Sequence, residues 1–156
     1  MTNHAAADTE AVTEYVTVLL DGQLFGLPIA RVQDVFTPEL LTRVPLSGPE
    51  IAGILNLRGR IVTAVDLRCR LGLPPREQSQ RPMAVGIEWR GESYGLLVDA
   101  VGEVIKLGDS GREPNPVNLD AKFAHVSAGV HRLDAQLMVV LDVERVLGAS
   151  AAPIAA

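Results

Sequence analysis

Few residues in this chain could do chemistry, and most of them stand alone. Two arginines flank a glycine at Arg58-Gly59-Arg60, directly after Asn56-Leu57. A guanidinium carries five N–H donors in a planar fork and can grip a carboxylate or carbonyl through two bonds at once. Two such side chains at a tight turn are either solvated or presented to a partner. His125 and His131 would share a face on one uninterrupted strand, but no Cys or third His sits nearby, so they read as ordinary strand histidines. Cys69 lies between Arg68 and Arg70, whose charges would favour a thiolate. Its place in a short amphipathic segment instead predicts a buried core residue. Asp66 and Asp142 each precede a helical pattern. Two carboxylates can act as acid and base, although capping two helix N-termini accounts for both. Trp89 is expected to be partly buried. The chain has no Gly-x-Ser-x-Gly elbow, Walker loop or His-Glu-x-x-His. The residue types thus predict no catalytic centre, cofactor or metal ion.

The elements that would position these groups are short and mostly extended. Alternation from Tyr15 to Leu20, a turn at Asp21-Gly22 and a second run from Gln23 to Leu27 predict a hairpin. Ile29, Val32 and Val35 predict one helical turn running into a strand. Gly53 to Leu57 and Arg60 to Asp66 predict a hairpin around Arg58-Gly59, followed by a short helix, Leu67 to Leu71, that ends at Gly72. Met83 to Trp89, the turn Arg90-Gly91 and Glu92 to Val98 repeat the first hairpin. A hairpin around Asp134-Ala135 and a helix from Val143 to Leu147 close the pattern. Short strands at regular spacing with Gly and Pro turns predict small antiparallel barrels or sandwiches.

Composition narrows the function. The net charge is −5 and aromatics are 4% of the 156 residues, so neither a basic footprint nor stacking platforms for nucleic acid are present. Apolar residues make up 47%, before 14 glycines are counted. No run approaches the roughly 20 apolar residues of a membrane span. The surplus predicts two compact cores plus exposed apolar surface for partners. A single cysteine and the lack of a signal-peptide pattern predict a cytoplasmic protein.

The chain repeats itself around a proline-bracketed stretch, residues 74–82. Gly26-Leu27-Pro28-Ile29-Ala30-Arg31-Val32-Gln33-Asp34-Val35 aligns with Gly95 to Val104 at an offset of 69. Ala52-Gly53-Ile54 aligns with Ala128-Gly129-Val130, Val65-Asp66-Leu67 with Leu141-Asp142-Val143, and Leu71-Gly72 with Leu147-Gly148, all at an offset of 76. The difference places an insertion around Gly108 to Pro116. The chain therefore reads as an internal duplication. The expected division is a disordered segment over 1–13, a first barrel over 14–73, a linker over 74–82, a second barrel over 83–148, with a terminal strand free to cross, and a disordered tail over 149–156. The sister of the Arg58 tip, Arg132-Leu133-Asp134-Ala135, lacks the Arg-Gly pair, so duplication does not explain Arg58.

At these residues the sequence resembles the CheW family of chemotaxis coupling proteins. Ala52-Gly53-Ile54-Leu55-Asn56-Leu57-Arg58-Gly59-Arg60-Ile61-Val62, followed by Val65-Asp66-Leu67-Arg68, is similar to that family's Gly-Val-x-Asn-Leu-Arg-Gly-x-Ile-x-Pro-Val-x-Asp-Leu-Arg. Further matches are Gly26 to Ile29, Val32 to Val35, Arg43-Val44-Pro45 and Gly95 to Val101, and together they cover residues 14 to 148. Thr63-Ala64 departs from the family's Pro-Val and restores a backbone donor at what would be a strand edge. The resemblance implies a mainly β fold of two five-stranded SH3-like barrels packed together. It implies a non-catalytic adaptor between the cytoplasmic tip of chemoreceptors and the regulatory domain of a CheA-type histidine kinase. It implies a cytoplasmic protein recruited to membrane-associated arrays, without nucleic acid or membrane insertion. A scaffold of twitching motility or another CheA-type pathway, or a small-molecule-binding barrel, are the alternatives. The length is not expected to accommodate a fused receiver domain. By position, Arg58 with Asn56, Leu57 and Gly59 matches the family's contact hairpin. Val32 and Gly53 match places linked to receptor or kinase coupling. Val104, Ile29 and Asp34 would border a groove between barrels.

Overall fold

The computed structural model describes residues 11–45 and 48–148. β1 (Val12–Leu20) and β2 (Gln23–Pro28) form the first hairpin, and a 3-10 turn (Ile29–Arg31) leads into β3 (Val32–Phe36). β4 (Ile51–Leu57) and β5 (Arg60–Asp66) form the second hairpin, followed by the single helical turn α1 (Leu67–Arg70). After the linker come β6 (Met83–Trp89), β7 (Glu92–Val98), β8 (Ala100–Gly108), a 3-10 turn (Asp109–Gly111) and β9 (Arg112–Glu113). Then come α2 (Ala121–Ala124), β10 (Ser127–Arg132), β11 (Leu137–Leu141) and helix α3 over 143–148. The expected lead-in over 1–13 is shortened, because Val12 and Thr13 already pair in β1; residues 1–10 and 149–156 lie outside the described residues.

Local chemistry accounts for the turns. Asp21-Gly22, Arg58-Gly59 and Arg90-Gly91 all have positive φ at both central residues, the two-residue turn whose twist suits a hairpin. Asp66 and Asp142 cap as expected: their carboxylates accept from the N–H of Arg68 at 3.1 Å and of Glu144 at 2.9 Å.

The strands are not shared out by the linker. One sheet runs β8-β1-β2-β11-β10-β9 and the other β3-β6-β7-β5-β4. Under the internal repeat, β1 to β5 correspond to β6, β7, β8, β10 and β11. Each sheet therefore takes its first hairpin from one half and its remaining repeat strands from the other. The exchanged hairpins dock through parallel pairs, β2 on β11 and β7 on β5. The division into a 14–73 barrel and an 83–148 barrel is corrected accordingly: a whole hairpin crosses in each direction. A half of this size buries too little surface to stand alone, and the exchange makes each sheet depend on both halves.

Packing reflects the exchange. Among the described residues there are three clusters instead of two cores. The largest lies between the sheets and joins Phe25, Leu27, Val139 and Leu141 of one to Val65, Ile87, Leu96 and Val98 of the other. The opposite faces of the same strands form two smaller clusters, Tyr15, Met138 and Val140 in one sheet and Phe36, Val62 and Leu97 in the other. Strand alternation thus buries both faces, which is where the apolar surplus goes. Trp89 is buried in the shared cluster and donates Nε1–H to Glu144 at 2.8 Å.

Three charges are buried at the junction. Arg68 of α1 forks onto Asp99, between β7 and β8, at 2.9 and 2.5 Å, and Arg76 of the linker donates to the same carboxylate at 2.9 Å. The Asp21 N–H adds a bond at 2.8 Å. Burial pushes the Asp99 carboxyl upward, but the bonds from Arg68, the Asp21 amide and Arg76 outweigh it and bring its pKa down to about 2. The linker is therefore anchored through a side chain 9% exposed.

Further expectations are corrected. Cys69 is exposed, because α1 turns Leu67 and Arg68 inward and leaves position 69 outside. Its thiol is pushed up by partial burial and by the Asp66 and Glu50 carboxylates, so the flanking arginines do not activate it. Thr63 lies on an interior strand, paired with Ile54 on one side and Tyr94 on the other, so its amide serves a ladder rather than an edge. His125 and His131 do not share a strand, since His125 caps α2 and His131 lies in β10.

Candidate protein-contact surface

The tip Asn56-Leu57-Arg58-Gly59 is rigid. The Asn56 carboxamide oxygen accepts the Gly59 N–H at 2.8 Å, and Leu57 packs against the Phe36 cluster. Arg58 adopts φ +52 at the apex, with its side chain 75% exposed. β3 and β4 stand at opposite edges of their sheet, yet Arg58 Nη1 lies 3.6 Å from Asp34 Oδ2 on β3. The sheet must curl back on itself for these side chains to meet. Arg60 Nη2 approaches the same oxygen, also at 3.6 Å.

Asp34 itself is mostly buried. Its Oδ1 has no hydrogen-bond partner among the described residues and presses against Gly86 of β6, where a Cβ would collide with it. The tip also borders a cleft of about 440 Å3, with Leu40, Thr42, Ile54 and Ile61 among its walls. Leu40 and Ile61 are exposed apolar side chains at its rim.

The remaining sequence-derived positions fall in different places. Gly53 adopts φ +152, and a Cβ there would lie 2.6 Å from the Thr42 carbonyl oxygen, because Thr42 pairs with Ile54 across the β4 edge. Its role is close backbone approach. Its repeat partner Gly129 has φ +126 with the Glu113 carbonyl at 2.9 Å from the same point. Val32 is half-buried against the shared core, as is its repeat partner Val101. Ile29 is exposed on the 3-10 turn. Val104 is exposed on β8 of the other sheet, opposite Val16. The fold thus brings Asp34 to Arg58 and leaves Val104 on a separate sheet edge.

Sequence reasoning passed over the Arg68–Asp99–Arg76 cluster and the contact of Arg60 with Asp34. The available signals were weak: Asp99 interrupts an apolar run, Arg68 is one of two arginines around Cys69, and Arg76 comes after two prolines. Among the described residues no group of three or more His, Cys, Asp or Glu is placed to hold a metal ion.

Known proteins resemble this chain in sequence and in fold. A profile described as the CheW-like domain matches residues 14–151. The chain is 24% identical over 140 residues to the chemotaxis protein CheW of Helicobacter pylori, covering 90% of this chain and 84% of that one. It is 28% identical over 141 residues to the chemotaxis protein CheW of Thermotoga maritima, covering 90% and 91%. Its structure resembles the crystal structure of the scaffolding protein TtCheW from Thermoanaerobacter tengcongensis with a TM-score of 0.75, at 30% identity and over 84% of this chain and 89% of that one. Since the profile spans nearly all of the described residues, the chain belongs to the CheW-like domain family.

Proposed function

We propose that this chain is a non-catalytic adaptor that couples chemoreceptors to a CheA-type histidine kinase in chemotaxis signalling. The observation that carries a contact role for its hairpin is Arg58, a cation three-quarters exposed on a rigid apex, with an ion pair too long to be a hydrogen bond. Such a side chain contributes little to folding and is available to a partner's carboxylate or carbonyl.

The kinase regulatory domain is held through apolar sheet edges, and the receptor's cytoplasmic tip reaches across both sheets, against Ile29 just before β3, Val32 at its start and Val104 on β8. Asn56, Leu57 and Gly59 hold the tip in shape, and Gly53 seats the strand beneath it. An interface of roughly 800 Å2 per partner is compatible with micromolar affinity. Linking many such contacts in an array at the membrane raises the overall strength without tightening any one of them. No helix of the described residues is long and apolar enough to cross a membrane.

Two measurements test the proposal. A pull-down from the organism's extract with mass spectrometry should recover a histidine kinase and chemoreceptors; recovery of neither would overturn it. Arg58→Ala should weaken binding to one of them by about 2 kcal/mol while the thermal midpoint stays within a degree or two. Unchanged binding to both would remove Arg58 from the interface.

A further inference from the structure

We infer that Arg60 is a specificity-determining residue of the hairpin tip: it neutralises Asp34 and so releases Arg58 to an acidic side chain of the partner. The inference rests on the contact role of Arg58 proposed above.

Both guanidiniums lie 3.6 Å from one oxygen, Asp34 Oδ2. The other oxygen is enclosed against Gly86 without a hydrogen bond, so the carboxylate is compensated from the Oδ2 side. At 3.6 Å neither contact is a hydrogen bond, and either arginine can leave without breaking one. The two cations are not equivalent. Arg60 is 44% exposed and lines a cleft of about 530 Å3 whose wall also carries Glu88 and Glu92. Arg58 is 75% exposed and stands at the apex. Arg60, the less exposed of the two and with Glu88 and Glu92 on the wall of the same cleft, is the better placed to stay, and Arg58 is the one that can depart.

Charge balance separates the two arginines further. One carboxylate faces two cations, so Asp34 keeps a partner when either arginine leaves. If Arg58 alone faced Asp34, moving it to a partner would strand a mostly buried anion, which is costly. Arg60 removes that cost, because Asp34 keeps a counter-ion after Arg58 has left. The partner group that fits is an exposed Asp or Glu on an element able to reach the apex of a two-residue turn.

The test compares wild type with Arg58→Ala, Arg60→Met, Asp34→Asn and Arg60→Met/Asp34→Asn. Each is titrated calorimetrically with the kinase regulatory domain and with a chemoreceptor cytoplasmic fragment of the same organism. Methionine keeps the apolar stem and removes the charge. Whichever probe is weakened by Arg58→Ala should bind Arg60→Met about fivefold more weakly. Asp34→Asn in that background should restore affinity to within about twofold, because no anion then retains Arg58. Should Arg60→Met fail to fold, Arg60→Gln takes its place. Wild-type affinity in the charge-removing variant, or no recovery in the double variant, would overturn the role of Arg60 and leave that of Arg58 standing. Undiminished binding of both probes by Arg58→Ala would instead sink the parent reading, and this inference with it.

Discussion

Arg68 and Asp99 meet side by side, Nε to Oδ1 at 2.9 Å and Nη2 to Oδ2 at 2.5 Å, in a junction where both side chains are mostly buried. Arg68 comes from the turn after β5, and Asp99 from the step between β7 and β8. Arg76 of the linker and the Asp21 amide of the first hairpin share the same carboxylate. The pair thus ties together four segments that the hairpin exchange brings to one place.

Removing the carboxylate should be felt across the molecule. Asp99→Asn removes the carboxylate that Arg68 and Arg76 share and leaves them only the longer carboxylate contacts, to Asp21 at 3.9 Å and Asp66 at 3.8 Å; breaking a buried pair costs up to about 3–5 kcal/mol. Urea unfolding should show a lower midpoint with an unchanged slope. A loss below about 1 kcal/mol would mean that water compensates the arginines.

The same group sets an acid limit. Its folded pKa of about 2 lies below the ordinary Asp value, so the folded state binds its proton later than the unfolded chain. The stabilisation is present above the unfolded pKa of about 3.9 and is lost as pH falls through about 2. On the order of 2 kcal/mol should disappear over that window, and Asp99→Asn should abolish this part of the slope. An identical slope in the variant would assign it to other carboxylates.

His131 should act at milder pH. It is buried beside Tyr15, its Nε2 has no hydrogen-bond partner among the described residues, and burial, with Arg112 adding to it, lowers its pKa despite Asp109 and Glu113. The unfolded chain takes up this proton first, near about pH 6.5. Stability is therefore complete above that value and declines as pH falls below it. His131→Phe should flatten the stability profile between about pH 7 and 5, measured by thermal midpoint. A parallel decline in the variant would clear His131.

Gly53 should not accept a side chain. Alanine would place its Cβ 2.6 Å from the Thr42 carbonyl at a φ of +152 that L residues rarely adopt. A destabilisation of roughly 1–3 kcal/mol is expected for Gly53→Ala, with a similar loss for Gly129→Ala. Full stability in either variant, by calorimetry, would show that the covering strand can shift.

Much of the local structure is legible in the chain. The bounds of β5, β6 and β7 agree with the periodic pattern, since each strand lies between a Gly turn and a break. The Asp66 and Asp142 caps are legible because a repeated carboxylate before a helical pattern has a local purpose. The exposure of Cys69 is not, because a four-residue turn carries too little periodicity to say which side faces in. The length of β8 is hidden as well, because its pattern is interrupted by a bulge opposite Val16 and Val18. Arg58 is legible as a turn residue, whereas Asp34, 24 positions earlier, becomes its neighbour only through the curl of the sheet.

The sequence alone determined the strands, their turns, the internal repeat and the exposed arginine, because each depends on side chains within a few residues of one another. Tertiary structure alone decided which hairpin belongs to which sheet. The two first hairpins are of similar length and share a glycine turn, so local pattern does not choose between the sheets; burial of one strand face in the shared cluster and of the other in a smaller one goes with the exchanged arrangement. The same long-range choice placed Arg68 on Asp99 and set two arginines on one carboxylate at Asp34.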